Sequence, residues 1–202
     1  MVDQPLDLTA VETDDDLFPA PAAAFPPTGG LPITAGLPLL GGLGVRIGRA
    51  GRAEAGEILT LQRAAYVSEA LLHDEVRIPP LLQTLTELED ELAAPSTVVL
   101  TALLGPRLVG SVRAVRAAAD PTAWAIGRLV VAPDVQGRGI GGRLLVAIEA
   151  AAPPDITRFV LFTGQQSAAN LRLYARHGYV EAAREPVGAG MVLVHLVKLR
   201  SV

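Results

Sequence analysis

Apolar residues recur along the chain at two spacings, and the changes between these spacings predict its helices and strands. A helical spacing begins at Ile58 and Leu61, and a second helical run covers residues 81–92 after the sequence IPP. Two further helices are predicted over residues 139–151 and over SAANLRLYARHG.

Strand-like runs lie between these helices. Each is rich in β-branched residues, and the six runs are VRIGR, STVVLTALL, RLVGSVRAV, AWAIGRLVV, TRFVLFT and MVLVHLVKL. Gly105 and Pro106 separate the second run from the third, as a tight turn between two paired strands does. This order predicts an α/β fold whose mixed sheet has parallel and antiparallel neighbours.

The first 44 residues differ from the rest of the chain. They contain six acidic residues and no Lys or Arg, and residues 17–45 carry no charge but hold twelve Pro and Gly. Pro and Gly interrupt a membrane helix repeatedly, and the acidic start is the opposite of a basic signal sequence. We therefore expect a flexible extension over residues 1–44, a folded domain over residues 45–202, and no association with a membrane.

Charge and composition exclude several classes of function. The chain outside the extension holds all 17 basic residues and 15 of the 21 acidic ones, a net charge of +2, which is too weak to predict nucleic-acid binding. The absence of cysteine removes disulfides, thiolate metal sites and a cysteine nucleophile, and is consistent with a cytoplasmic location. The three histidines have no metal-ligand spacing, so no metal is expected.

The sequence VVAPDVQGRGIGGRLL, residues 130–145, places four glycines between a strand and a helix. We call residues 136–142 the glycine loop. Glycine has no Cβ to hold a ligand away, and the first amides of a helix have no partner within the helix, so the segment predicts an anion site. Exposed arginines in an ordinary tight turn are the simpler alternative.

Two known phosphate-binding motifs fit this segment poorly. A P-loop requires Lys and then Ser or Thr after its last glycine, but Arg143 and Leu144 follow Gly142. The spacing of Gly137, Gly139 and Gly142 satisfies the dinucleotide fingerprint. That fingerprint also needs an acidic residue at the end of the next strand, and TRFVLFTGQQ supplies none.

The segment QGRGIG resembles the Q/R-x-x-G-x-G/A loop of the GNAT superfamily of acyl-CoA-dependent N-acetyltransferases. About 25 residues later, SAANLRLYARHGYVEA resembles the second signature of that family, a helix with Asn and Tyr one turn apart. The resemblance covers residues 45–199. It implies a GNAT fold with a mixed sheet of about six or seven strands, flanking helices and a V-shaped splay between the fourth and fifth strands.

The resemblance also assigns a binding site for acetyl-CoA. It implies that backbone groups of Val130 and Val131 contact the pantetheine arm and that the glycine loop holds the pyrophosphate. The implied coenzyme-binding residues are Val130, Val131, Gln136, Gly137, Arg138, Gly139, Ile140, Gly141, Gly142, Arg143 and Asn170.

Asn170 and Tyr174 are four residues apart, so a helix places them on one face. The resemblance implies that Asn170 binds the pantetheine and that Tyr174 protonates the departing CoA thiolate. The alternative for Tyr174 is a core aromatic residue whose hydroxyl reaches a backbone carbonyl. His177 is expected to be a capping or surface residue at the negative C-terminal end of the helix dipole rather than a catalytic residue.

The base that deprotonates the amine is not assigned. Many members of the family carry a Glu on the strand before the loop, whereas WAIGRLVVAP has no acidic residue. Candidates by location are Glu69, His73, Asp74, Glu75 and an ordered water. Tyr66 and Glu69 are alternatively expected to line the acceptor site, where acidic residues favour a cationic acceptor.

The resemblance implies an N-acetyltransferase that transfers acetyl from acetyl-CoA to a primary amine, of a small molecule or of a protein lysine or N-terminus. Because cysteine is absent, direct attack in a ternary complex is expected rather than an acyl-enzyme. The alternative is an acyl-CoA-binding sensor without turnover, in keeping with the missing strand acid. Relatives often form dimers, so a homodimer is one of the expected states.

Overall fold

The computed structural model describes residues 44–187 and 190–201. Within these ranges seven strands form one sheet, in the order β1-β2-β3-β4-β5-β7-β6. The strands are β1 (Val45–Arg49), β2 (Thr97–Leu104), β3 (Arg107–Arg116), β4 (Ala123–Val131), β5 (Arg158–Gly164), β6 (Val180–Val187) and β7 (Met191–Leu199). In this sheet β4 and β5 are parallel and the other neighbours are antiparallel, which confirms the predicted mixed sheet.

Helices cover both faces of the sheet. They are α1 (Ala55–His73), α2 (Pro79–Leu82), α3 (Leu85–Ala93), α4 (Ile140–Ala150) and α5 (Ala168–Arg176). Side chains of a strand alternate between faces. On β3, Arg113 therefore reaches Glu91 of α3 on one face, whereas Gly110 faces Leu144 of α4 on the other.

The helix predicted over residues 81–92 is two helices, so this expectation was wrong. Gln83 leaves the helical conformation, and Thr84 begins α3 with a capping box. Thr84 Oγ1 accepts from Glu87 N at 3.3 Å, and Glu87 Oε2 accepts from Thr84 N at 2.7 Å. The apolar spacing continues through this break, and only the Thr-x-x-Glu pattern marks it.

Strand β6 was not among the predicted strands. Its sequence, VEAAREPV, lacks a regular apolar alternation because β6 is an edge strand with mostly exposed side chains. Pro186 fits an edge position, where a missing amide donor is tolerated. β6 gains its order from pairing with β7 rather than from a buried face of its own.

The hydrophobic core lies between the sheet and the helices, and Trp124 of β4 is buried within it. Residues 1–43, most of the predicted extension, lie outside the described residues, and Gly44 directly precedes β1. In the described part of the chain no helix has the length and hydrophobicity to span a membrane.

Candidate active site

The parallel strands β4 and β5 pair only at their first residues. Ala123, Trp124 and Ala125 pair with the first three residues of β5, and the described pairing ends there. Farther along β4, Gly127 pairs with Arg113 and Val130 with Ser111, so two residues of β4 oppose one residue of β3. This is a β-bulge, which bends its strand. The splay predicted between the fourth and fifth strands is therefore present.

Arg128 lies in the bulge and has a φ of 49°, an unusual backbone conformation for a residue other than glycine. Beyond the bulge, Val130 and Val131 pair with β3 on one edge, while their other edge faces the splay. Among the described residues no strand pairs with that edge, where the Val131 carbonyl accepts from Gln136 Nε2 at 3.1 Å. The two valines assigned to the pantetheine arm thus lie along an open edge of β4.

The glycine loop connects the end of β4 to α4. Gly137 and Gly139 have φ values of 74° and 79°, and an added Cβ at either position meets no atom of the described chain within 4 Å. Gly139 is the N-cap of α4. These glycines are required by backbone conformation, and the space beside them is open.

Amides at the start of α4 are available to a ligand. The first bond of the helix runs from Arg143 N to Gly139 O at 3.1 Å, so the amides of Ile140, Gly141 and Gly142 lack partners within the helix. The positive end of the helix dipole adds to their attraction for an anion. Arg138 is exposed in the loop, so its charge is accessible. The arrangement is chemically suited to a phosphate or pyrophosphate.

Other loop residues have structural contacts. Gln136 Nε2 donates to the Val131 carbonyl at 3.1 Å, which fixes the turn at the end of β4. Arg143 Nη2 donates to the Val45 carbonyl at 2.9 Å and thereby joins α4 to β1. A Cβ on Gly142 would lie 2.7 Å from His177 Nε2, so Gly142 also serves the packing of α4 near the end of α5. Sequence reasoning gave no signal for these packing roles.

Asn170 and Tyr174 lie on α5 as predicted. Asn170 Nδ2 donates to Glu69 Oε1 at 3.1 Å and to Thr163 Oγ1 at 3.4 Å. Tyr174 is buried, with its ring edge-on to Tyr179 at 5.9 Å between centroids. Burial, with smaller contributions from Tyr66 and Glu69, raises the pKa of Tyr174 above its ordinary value. Tyr174 is therefore a neutral hydroxyl at working pH.

The C-terminal end of α1 reaches the N-terminus of α5. Glu69 Oε2 accepts from Ser167 Oγ at 2.5 Å, and His73 Nε2 lies 3.3 Å from the same hydroxyl. The His73 imidazole covers Gly164 at the end of β5, where a Cβ would overlap the ring. Asp74 and Glu75 follow the helix, and Glu75 accepts from Arg77 N at 2.6 Å. Four side chains were candidates for the base: Glu69, His73, Asp74 and Glu75. Glu69 and His73 lie within contact distance of Ser167, at the start of α5.

Two contacts were missed by sequence reasoning. Ser167 occupies the N-cap position of α5, but its hydroxyl donates to Glu69 rather than capping the helix. Thr163, at the end of β5, contacts Asn170 across the start of α5.

Two further features lie outside this group. His195 of β7 is buried, and its Nε2 lies 2.9 Å from Glu185 Oε2. A cavity of about 580 Å³ opens between the N-terminal half of α1 and Pro133, which follows β4. In the described part of the chain, no three His, Asp or Glu side chains are grouped to hold a metal ion.

Solved structures share this fold. The acetyltransferase of the GNAT family from Streptococcus pneumoniae superposes with a TM-score of 0.62 at 21% identity, over 78% of this chain and 99% of that chain. The PaiA N-acetyltransferase from Thermoplasma acidophilum, in complex with coenzyme A, gives 0.60 at 14% identity, over 76% and 98%. The ribosomal-protein-alanine N-acetyltransferase from Brucella melitensis gives 0.60 at 20% identity, over 76% and 99%.

No curated protein matches the sequence significantly. The model of the acetyltransferase (GNAT) family matches residues 60–179, which is more than half of the 202 residues. The match includes the bulged strand, the glycine loop and the helix with Asn170 and Tyr174. The chain therefore belongs to the GNAT family of acetyltransferases.

Proposed function

We propose that this acetyltransferase transfers an acetyl group from acetyl-CoA to a primary amine by direct attack in a ternary complex. The observation that carries the proposal is the open edge of β4 leading to the unpartnered amides of α4. The open edge of β4 can exchange hydrogen bonds with an extended arm, and the amides at the start of α4 can bind an anion. A coenzyme with a pyrophosphate and an amide-containing arm matches both.

The residues present fit acetyl-CoA at this site. Gly137 and Gly139 leave space for the backbone to approach a pyrophosphate, and Arg138 adds an exposed positive charge. Arg143 supports the loop from behind through its bond to the Val45 carbonyl. The solved relative from Thermoplasma acidophilum, which contains coenzyme A, supports the same coenzyme here. When bound, acetyl-CoA supplies the activated acyl group as a thioester.

Transfer forms a nitrogen–carbon bond as the carbon–sulfur bond breaks, and two protons move. The attacking amine loses one proton to a base or to water, and the departing thiolate gains one. We assign the second proton to Tyr174, whose buried neutral hydroxyl is a hydrogen-bond donor one helical turn from Asn170. The sequence has no cysteine, so a thioester-linked enzyme intermediate is ruled out.

The acceptor is proposed to approach from the C-terminal end of α1, beside Tyr66 and Glu69. Acidic side chains of Glu69, Asp74 and Glu75 lie at this end of the helix. They favour a cationic amine by simple attraction. The relative from Brucella melitensis, named as a ribosomal-protein-alanine N-acetyltransferase, supports an amine of a protein N-terminus as one candidate. A cytoplasmic location stays a prediction.

A thiol-release assay tests the function. The purified chain is incubated with acetyl-CoA and with polyamines, aminoglycosides, amino acids, arylamines or lysine-containing peptides, and free CoA is measured. An enzyme releases thiol in proportion to the acceptor. A sensor, which the lack of an acid on β4 favours, binds CoA in calorimetry but shows no amine-dependent release with any acceptor.

A further inference from the structure

One carboxylate on α1 receives two hydrogen bonds from α5. Glu69 Oε1 accepts from Asn170 Nδ2, and Glu69 Oε2 accepts from Ser167 Oγ. Ser167 gives up the capping bond that its position normally makes in order to contact Glu69. The side chains of Ser167 and Asn170 therefore join α5 to α1 through the Glu69 carboxylate.

The contact determines which way the Asn170 amide faces. An ionised carboxylate accepts hydrogen bonds and donates none, so the atom of Asn170 that faces Glu69 is the amide nitrogen. Thr163 Oγ1 lies 3.4 Å from the same nitrogen and takes its second N–H. Both N–H groups are thus used, and Asn170 Oδ1 has no hydrogen bond to another described residue.

We infer that Glu69 is a positioning residue that holds the Asn170 amide with Oδ1 ready to accept an N–H of the pantetheine arm. This inference rests on the proposed function, because pantetheine is the part of CoA that carries amide N–H donors. Without Glu69, the amide of Asn170 can rotate and present its NH₂ group to those donors. Glu69 acts through Asn170 and does not touch the reacting atoms.

The same contacts argue against Glu69 as the base. Both of its oxygens are engaged by α5, and His73 Nε2 lies 3.7 Å from Oε2. A base for the amine needs an oxygen aimed at the acceptor. The carboxylate is instead aimed at α5.

Binding measurements with two ligands test the inference. CoA carries the pantetheine arm, whereas adenosine 3′,5′-bisphosphate carries only the adenosine, the 3′-phosphate and one phosphate of the pyrophosphate. Glu69→Ala is expected to weaken CoA binding by about tenfold, the effect of one or two hydrogen bonds, and to leave bisphosphate binding unchanged. In an Asn170→Ala background, Glu69→Ala is expected to add no further loss of CoA affinity.

Conservative variants separate positioning from proton abstraction. Glu69→Gln keeps an oxygen that accepts from Asn170 and an NH₂ that donates to Ser167, so it restores most of the CoA affinity and of kcat. If Glu69 were the base, Glu69→Gln would lose kcat as fully as Glu69→Ala. Thr163→Val removes the second acceptor of the Asn170 amide, and it is expected to weaken the binding of CoA but not of the bisphosphate. It tests the same amide should Glu69→Ala fail to fold.

Three results overturn the inference. They are an equal loss of CoA and bisphosphate binding in Glu69→Ala, a further loss of CoA affinity on adding Glu69→Ala to Asn170→Ala, and a kcat of Glu69→Gln as low as that of Glu69→Ala. A wild-type chain that binds neither ligand overturns the proposed function, and the inference with it. The two failures are therefore distinguished by the wild-type titration.

Discussion

The Cδ1 methyl group of Leu144 lies over Gly110, only 2.8 Å from where a Cβ on that glycine would stand. The same Cβ would lie 3.2 Å from the Val130 carbonyl oxygen and 3.3 Å from Ile140 Cγ2. Leu144 is completely buried in a dense core, and the Val130 carbonyl belongs to the backbone, so a Cβ fits only if neighbouring atoms shift. The close approach of β3 to α4 therefore sets the height of the helix N-terminus above the sheet.

Gly110→Ala is expected to destabilise the protein by about 1–3 kcal/mol, the cost of overpacking a dense core. Because α4 must shift to accept the methyl group, CoA affinity should fall as well. Thermal unfolding and calorimetric titration measure the two effects. Gly48→Ala in β1 is the matched control, since a Cβ there meets nothing within 4 Å. Equal melting temperatures for the two variants would contradict the packing argument.

Gly139→Ala tests the glycine loop through its backbone. A residue with a Cβ at a φ of 79° is strained by about 1–2 kcal/mol, and the methyl group enters space that the coenzyme is proposed to use. The strain should lower the melting temperature, and the methyl group, which enters the space proposed for the coenzyme, should weaken CoA binding. Calorimetric titration with CoA gives the change in affinity.

Gly105→Ala is the control for that variant. Gly105 also has a positive φ, 60°, and open space around it, but it lies in the turn between β2 and β3. Both substitutions should lower the melting temperature by similar amounts, and only Gly139→Ala should weaken CoA binding. A similar loss of affinity in both variants would place the pyrophosphate elsewhere.

The sequence contained most of the information about the nucleotide end of the proposed site. The strand, the glycine loop and the helix that follows are contiguous, and local rules for glycine and for helix N-termini predicted their arrangement. The splay was implied by the family resemblance, but the bulge at Arg128 was not located by local pattern, because arginine is a poor indicator of a positive φ.

The other half of the site depends on contacts between distant residues. Glu69 and Asn170 are 101 positions apart, and nothing in either helix indicates that they meet. Ser167 lies at the N-cap of α5, but its bond to Glu69 could not be foreseen, because a serine at this position normally caps its own helix. Local rules predict where a residue lies better than which tertiary partner it finds.

Tyr174→Phe is expected to lower kcat by about 10²-fold if the hydroxyl protonates the thiolate. Burial raises the pKa of Tyr174, so the hydroxyl stays protonated beyond its ordinary value of about 10. Loss of the Tyr174 proton therefore cannot produce a fall in rate between pH 7 and 10. The kcat profile of the variant should be lower than that of the wild type and parallel to it over this range.

Tyr179→Phe serves as the control for this change. Tyr179 is also buried, but its hydroxyl donates to Glu149 Oε1 at 2.8 Å. Removing it should cost about 1 kcal/mol of stability, the worth of one hydrogen bond, with little change in kcat. Comparable kcat losses in the two variants would assign Tyr174 to packing, the alternative that its position also allows.

Asp120 is expected to make stability depend on pH near the origin of the splay. It forms an ion pair with Arg158, the first residue of β5, and accepts a hydrogen bond from Thr122 N at 2.9 Å. Partial burial alone would raise the pKa of Asp120, but the bonds from Thr122 and the charge of Arg158 lower it below its ordinary value.

Because the folded pKa of Asp120 is the lower one, its contribution to stability is present above the unfolded value of about 4 and is lost as pH falls through the folded pKa. Asp120→Asn should therefore be less stable than wild type at pH 7, and the difference should shrink in acid. Urea unfolding at several pH values measures it. Glu181→Gln, which breaks an exposed pair with Arg184, should change stability little at any pH. A constant difference between Asp120→Asn and wild type down to pH 3 would show that the carboxylate charge contributes nothing, and that the side chain acts through its neutral hydrogen bonds.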